Sequence, residues 1–121
     1  MTELKRLNRR INEAMGYKAL SDRNLWSIGF PDGRQTCLCD SESDAWDYAP
    51  NRAQRITDAF EALDWWLAQS PHYAYLCSGN GGKHRMDLQR ESGGDWIRGT
   101  AQTRPLAIAR AIVAALDKEV S

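Results

Sequence analysis

Residues 72–120 read HYAYLCSG, NGGK, HRMDLQRE, SGGD, WIRGTAQ and TRPLAIARAIVAALDKEV, and this succession decides the fold. In an extended chain successive side chains point to opposite faces. Tyr73, Tyr75 and Cys77 therefore share one face of the first run, and Ala74 and Leu76 the other. The glycine pairs in NGGK and SGGD admit positive φ at little cost, so three short strands joined by tight turns are predicted. The last run has a different period. Thr103 is placed to cap it, and Pro105 fits a first helical turn, where its missing N–H would have no partner. Leu106, Ala109, Ile112, Val113 and Leu116, with Ile108 at the edge, form an apolar band roughly 160° wide on a helical wheel. A helix with so broad an apolar band must lie across a sheet.

Upstream, residues from about Asn51 to Ser70 return to helical spacing. Ile56, Phe60, Leu63 and Leu67 fall within roughly 60° of one another and are the predicted buried stripe, with Trp66 beside Ala59 at its flank. Trp65 projects about 180° from Ile56, toward the side bearing Asp58 and Glu61. Tryptophan is enriched at interface hot spots, so a partner, a second copy of the chain or a neighbouring loop is expected to cover it.

The segment DSESDAWDYAP, Asp40–Pro50, sets Asp40, Glu42, Asp44 and Asp47 around Trp46 and Tyr48. It reads as a turn-rich connection. A calcium loop of the EF-hand type needs Gly at its sixth position and Glu at its twelfth, where this chain has Ala45 and Asn51. Two readings stay open for the segment: an acidic, aromatic-bearing surface for a basic partner, and a solvated loop anchored by Trp46 and Tyr48. Before it, NLWSIGF, the turn Pro31-Asp32-Gly33 and RQTCLCD read as a hairpin in which Trp26, Ile28 and Phe30 share a face. The chain opens with Leu4, Leu7, Ile11 and Met15 at helical spacing from about Glu3, between Thr2 as cap and Gly16 as stop. Lys5, Arg6, Arg9 and Arg10 form a cationic ridge on that helix, read as a solvated face or as a surface for an anion or a partner.

The elements thus run α-β-β-α-β-β-β-α. The expected class is α+β, a single domain over residues 1–121 with an antiparallel sheet of about five strands sandwiched between three helices. Its length of 121 residues suits one core, and 42% hydrophobic with 26% charged residues is a globular balance. Sixteen basic against sixteen acidic side chains give no net field toward polyanions, which disfavours DNA as a default partner. The amino terminus lacks the apolar run of a signal peptide, and Ala111–Leu116 is too short to span a bilayer, so a cytoplasmic protein with no membrane contact is expected. Cys37, Cys39 and Cys77 are odd in number and are read as free thiols.

Catalytic signatures are not assembled in this pattern. Cys37, Cys39, Cys77, His72 and His84 lack the paired spacing of a zinc finger or ribbon, and residues 79–82 lack the Lys-Ser/Thr and following helix of a phosphate-binding loop. A nucleophilic Cys77 beside His72 or His84 is the one enzymatic reading, and it needs a third group to orient the base. No catalytic residues, metal or cofactor are expected.

In its ordered features the chain resembles the phage ABA-sandwich domain, a family of small bacteriophage and prophage proteins. The resemblance spans nearly the whole length. It is carried by Ala101-x-Thr103-x-Pro105-Leu106-Ala107-Ile108-x-Arg110-Ala111, by Met15-Gly16-Tyr17 and by Tyr48 ahead of a helix. Where the family often resembles Tyr-Ser-Thr-Asp-Ile, this chain has Tyr48-Ala49-Pro50-Asn51-Arg52. The resemblance implies helices on opposite faces of an antiparallel sheet, and brings no catalytic residues with it.

The expected function is that of a phage- or prophage-encoded accessory protein binding a host or phage protein, with inhibition of a host defence as one form. Arg9, Asp44, Trp46, Asp47, Tyr48, Glu61 and Trp65 are the candidate binding residues. The alternative is sequestration of a nucleotide signal, with Arg85, Arg90 or Arg98 on the phosphates and an aromatic ring on the base.

Overall fold

A computed structural model describes residues 2–69, 72–78 and 82–120 of the chain. The first helix, α1, spans Glu3–Ala14, and the Thr2 hydroxyl accepts the Lys5 N–H at 3.3 Å, satisfying one of the donors that a helix start leaves unpaired. Its buried face is Leu7, Ile11 and Asn12. Gly16 ends it at φ +103°, a left-handed conformation that favours glycine.

Two strands follow, β1 (Lys18–Asp22) and β2 (Leu25–Gly29), paired antiparallel across Arg23 and Asn24, which both hold positive φ. That is the twist of a two-residue hairpin turn. The sequence reading placed the partner of β2 downstream, in residues 34–40. That run makes only two isolated bridges to β2, Gly29 with Gln35 and Trp26 with Cys39. Three residues intervene on one side and two on the other, so the run is bulged at Thr36, whose hydroxyl accepts the Ile28 N–H at 2.8 Å.

A short helix, α2 (Glu42–Trp46), replaces the loop expected between Asp40 and Pro50. The Ser41 hydroxyl caps it by accepting the Asp44 N–H at 3.1 Å, and Glu42 and Asp44 sit in its first turn, where the helix dipole favours negative charge. The close acidic spacing is thus partly a helix-start signal. Helix α3 spans Ile56–Leu67, starting later than expected. Its buried residues are Ala59, Ala62, Leu63 and Trp66, while Ile56 and Phe60 are each 38% exposed. The helix is rolled by roughly 80° from the stripe predicted on hydrophobicity alone. Small alanines face the core in place of the bulkier Ile56 and Phe60.

The three downstream strands β3 (Tyr73–Ser78), β4 (His84–Gln89) and β5 (Ile97–Ala101) form an antiparallel sheet in that order. Tyr73 pairs with Gln89, and Asp87 with Arg98. The last helix, α4 (Arg104–Val120), lies across β4 and β5. A Cβ on Gly99 would stand 2.4 Å from both the Ala107 carbonyl oxygen and the Ala111 nitrogen, so the close seating of α4 on β5 requires glycine there.

Helices α1 and α3 pack against α4. Leu7, Ile11, Trp66, Met86, Leu88, Ile108 and Ile112 fill this main core. A second, smaller core of Tyr17, Ile28 and Ala45, flanked by Trp26, Phe30 and Trp46, lies where α2 covers the β1–β2 hairpin. Among the described residues the class is α+β with five antiparallel strands, as read from the sequence. Their distribution differs: the strands divide into sheets of two and three, and there is a fourth helix. The helices of the main core stack outward from one face of the three-stranded sheet.

Candidate binding face around α2

The cationic ridge of α1 is the dock for α2. Lys5 Nζ lies 3.5 Å from Asp47 Oδ2, and the Arg9 guanidinium donates to Glu42 Oε1 and Glu13 Oε1, each at 3.2 Å. Arg9 also sits over the Trp46 ring, 5.2 Å from its centroid. Arg10 pairs with Asp117 of α4 at 3.5 Å. Opposite charges far apart in the sequence thus pair with one another, and Lys5, Arg9 and Arg10 of the ridge are engaged within the molecule while staying partly exposed.

Behind α2, a polar scaffold fixes the chain that leaves it. The side chain of Asn8 donates to Asn51 Oδ1 at 3.0 Å and accepts the Ala53 N–H at 2.8 Å. One turn later Asn12 donates to the Pro50 carbonyl at 3.0 Å. Arg52 is fully buried. It donates to Asn12 Oδ1 at 2.9 Å, the Asp58 carbonyl at 3.0 Å, Glu61 Oε1 at 2.7 Å and the Tyr17 hydroxyl at 3.3 Å. A guanidinium is costly to bury unless its donors are met, and here they tie α1, the end of α1 at Tyr17 and the first turns of α3 to one point. Sequence reasoning missed this residue. The available signal was the pair Asn8 and Asn12, polar amides beside the apolar Leu7 and Ile11 on a single helix face.

Two concavities flank α2. Between α1 and α2 is a cleft of about 330 Å³, lined among others by Lys5, Arg9, Trp46, Asp47 and Asn51. On the outer side a more open hollow of about 390 Å³ is lined by Leu38, Cys39, Asp40, Asp44, Asp47 and Tyr48. Leu38 is 57% exposed and Tyr48 60% exposed, so two large apolar side chains stand at the surface among three carboxylates. The thiol of Cys39 is pushed up from its usual range by burial, by the neighbouring Cys37 and by the negative charges of Asp44 and Asp40. It is therefore protonated at neutral pH and is a poor nucleophile.

Five of the seven sequence-predicted residues, Arg9, Asp44, Trp46, Asp47 and Tyr48, come together around α2. The other two do not join them. Glu61 is held by Arg52, and Trp65 is half-buried and packs on the main core, contrary to the projection away from it. The rolled seating of α3 explains the difference, since it carries Trp65 toward the core and Ile56 and Phe60 outward.

His72 is engaged with α3: its Nδ1 is 2.8 Å from the Trp66 carbonyl oxygen and its ring stacks on Trp66 at 3.9 Å. The Cys77 side chain lies outside the described residues, and with it the nucleophile reading. Among the described residues no three His, Cys, Asp or Glu side chains converge to hold a metal ion. No helix among them is long and apolar enough to cross a membrane. Comparison with family models, with curated proteins and with solved structures finds no match for this chain.

Proposed function

We propose that this chain works by binding a protein partner through the outer face of α2, and that the partner presents basic side chains to it. The observation that carries the reading is the pairing of exposed Leu38 and Tyr48 with Asp40, Asp44 and Asp47 around one hollow. Exposed aromatic and aliphatic groups provide the area that a partner desolvates, and surrounding carboxylates steer it and reject acidic competitors. The Arg52 scaffold and the α1–α2 ion pairs support this by holding the face in one geometry before contact, which lowers the ordering cost of binding.

The resemblance to phage ABA-sandwich proteins extends the proposal to a phage or prophage setting. There the partner is a host or phage protein, and binding inhibits a host defence. Affinity capture from host lysate tests the first part. Wild type and Trp65→Ala are expected to retain one protein that Tyr48→Ala and Asp44→Lys lose; recovery at bead background for all four overturns the reading. Phage plating on a host expressing wild type or Tyr48→Ala tests the second: only wild type should raise plating efficiency in a defended strain.

A further inference from the structure

The outward face of the three-stranded sheet differs from the α2 face in the groups it exposes. Met86, Leu88, Ile97 and Gly99 face α4, so alternation puts Tyr73, Arg85, Asp87, Gln89, Arg98 and Thr100 on the other face. Helices α1 and α3 are engaged with α4, and α2 with the hairpin.

Two features of that face point to one ligand chemistry. The first is a row of rings. Tyr73 is paired with Gln89, and Trp96 stands one residue before β5, whose Ile97 is the partner of Leu88; continued by that one residue, the register brings Trp96 beside Gln89 on the side away from Tyr73. Gln89 is itself held down, its Nε2 donating to the Gly94 carbonyl at 2.6 Å. Tyr73 is 44% exposed and Trp96 51% exposed. Two strand spacings, about 10 Å, separate them. The second feature is a clasp of cations in the adjoining rows: Asp87, itself buried, takes Arg98 Nε at 2.9 Å and Arg85 Nε at 3.2 Å. One carboxylate thus holds two guanidinium groups on the same face. The side chain of Arg98 is 56% exposed.

We propose that this face binds single-stranded nucleic acid, with bases stacking on Tyr73 and Trp96 and phosphates meeting Arg98 and Arg85. Every base has a face that stacks on an aromatic ring, and a flat pleated sheet presents such rings to a polymer lying along it. A duplex hides its base faces and has no use for them. The whole chain is neutral, but α2 and α3 hold five of its sixteen acidic side chains and no Lys or Arg. An acidic peptide would satisfy the arginines and leave both rings idle. This surface shares no residue with the α2 face, so the two readings stand or fall separately.

Fluorescence anisotropy of a labelled uridine dodecamer, titrated with the full chain, tests it. Two phosphate contacts give a slope of log affinity on log salt of about −1.4, or roughly sevenfold weaker binding between 50 and 200 mM salt. Trp96→Ala and Tyr73→Ala should each weaken binding about tenfold, while Trp96→Phe, which keeps a stacking ring, stays within about threefold of wild type. Arg98→Gln should halve the salt slope, and Arg34→Gln, in the other lobe, should leave it unchanged. The proposal is overturned by no anisotropy change at about 100 µM protein, the weak end of non-specific association. Equal affinity for the matching duplex, displacement by polyglutamate as effective as by unlabelled strand, or wild-type binding by both folded alanine variants would overturn it equally.

Discussion

The main core and the α2 lobe are held by different physics. Around α4, apolar side chains meet at close range, from Leu7 and Ile11 through Met86 and Leu88 to Ile112, and the seating is so tight that Gly99 has no room for a methyl group. The α2 lobe has a buried apolar cluster of just Tyr17, Ile28 and Ala45 among the described residues, and leans on directional contacts: Ser41 to Asp44, Lys5 to Asp47, Arg9 to Glu42, and the donors of Arg52. Hydrophobic burial sums over area and tolerates exchange of similar side chains, whereas hydrogen-bonded posts fail one at a time. The lobe that carries the proposed binding face is therefore the one most sensitive to single polar substitutions.

The sharpest test of this contrast is Gly99→Ala. The added methyl collides with α4 backbone, which has no rotamer to change, so a loss of about 3 kcal/mol or more in urea unfolding is expected. A loss below about 1 kcal/mol would mean that α4 is not seated so closely. Next in size is Arg52→Met, which keeps most of the volume and removes every donor. A loss of about 2–3 kcal/mol is expected, because Asn12 Oδ1 is left buried without its partner. Glu61 is exposed enough to regain water, which limits the cost. Amide exchange should accelerate in residues 41–53 more than in β4, and uniform acceleration would erase the distinction between the lobes.

Ser41→Ala should cost about 1 kcal/mol, since it removes the α2 cap. It should also weaken partner capture without moving the main unfolding transition far. Smallest is the pair that Glu3 makes with Arg110 of α4 at 2.7 Å. The Arg110 guanidinium holds the Glu3 carboxyl below its ordinary value of 4.5. The folded form thus binds this proton less readily than the unfolded chain. Its contribution is present above pH 4.5 and is lost as pH falls through the lower folded value. Because the pair is exposed, Glu3→Gln should flatten the acid limb of the stability curve only slightly, and a change at neutral pH larger than about 1 kcal/mol would contradict a surface role.

Much of this architecture is legible in residue order. The period-two runs at 73–78 and 84–89, the glycine turns and the apolar band of 106–116 specify three strands and the helix across them, because burial on one face imposes its period on the chain. Thr2 and Gly16 mark the ends of α1 for equally local reasons. The α2 cap is legible too, in Ser41 followed by Asp44, although so many acids in a short run suit a solvated loop equally well. The Arg23-Asn24 turn gave no such warning, since a positive φ at arginine is chosen by the strands on either side.

What the sequence determined by itself is the class, the period of each long element and the balance of charge, all of which depend on neighbours within a few residues. Tertiary structure alone decided the roll of α3 that buries Ala59 and Ala62 and turns Ile56 outward, the use of Arg9 and Lys5 to dock α2, and the burial of Arg52. Each depends on which groups from distant segments arrive together, and a polar side chain shows its place only when the donors and acceptors that satisfy it are within reach.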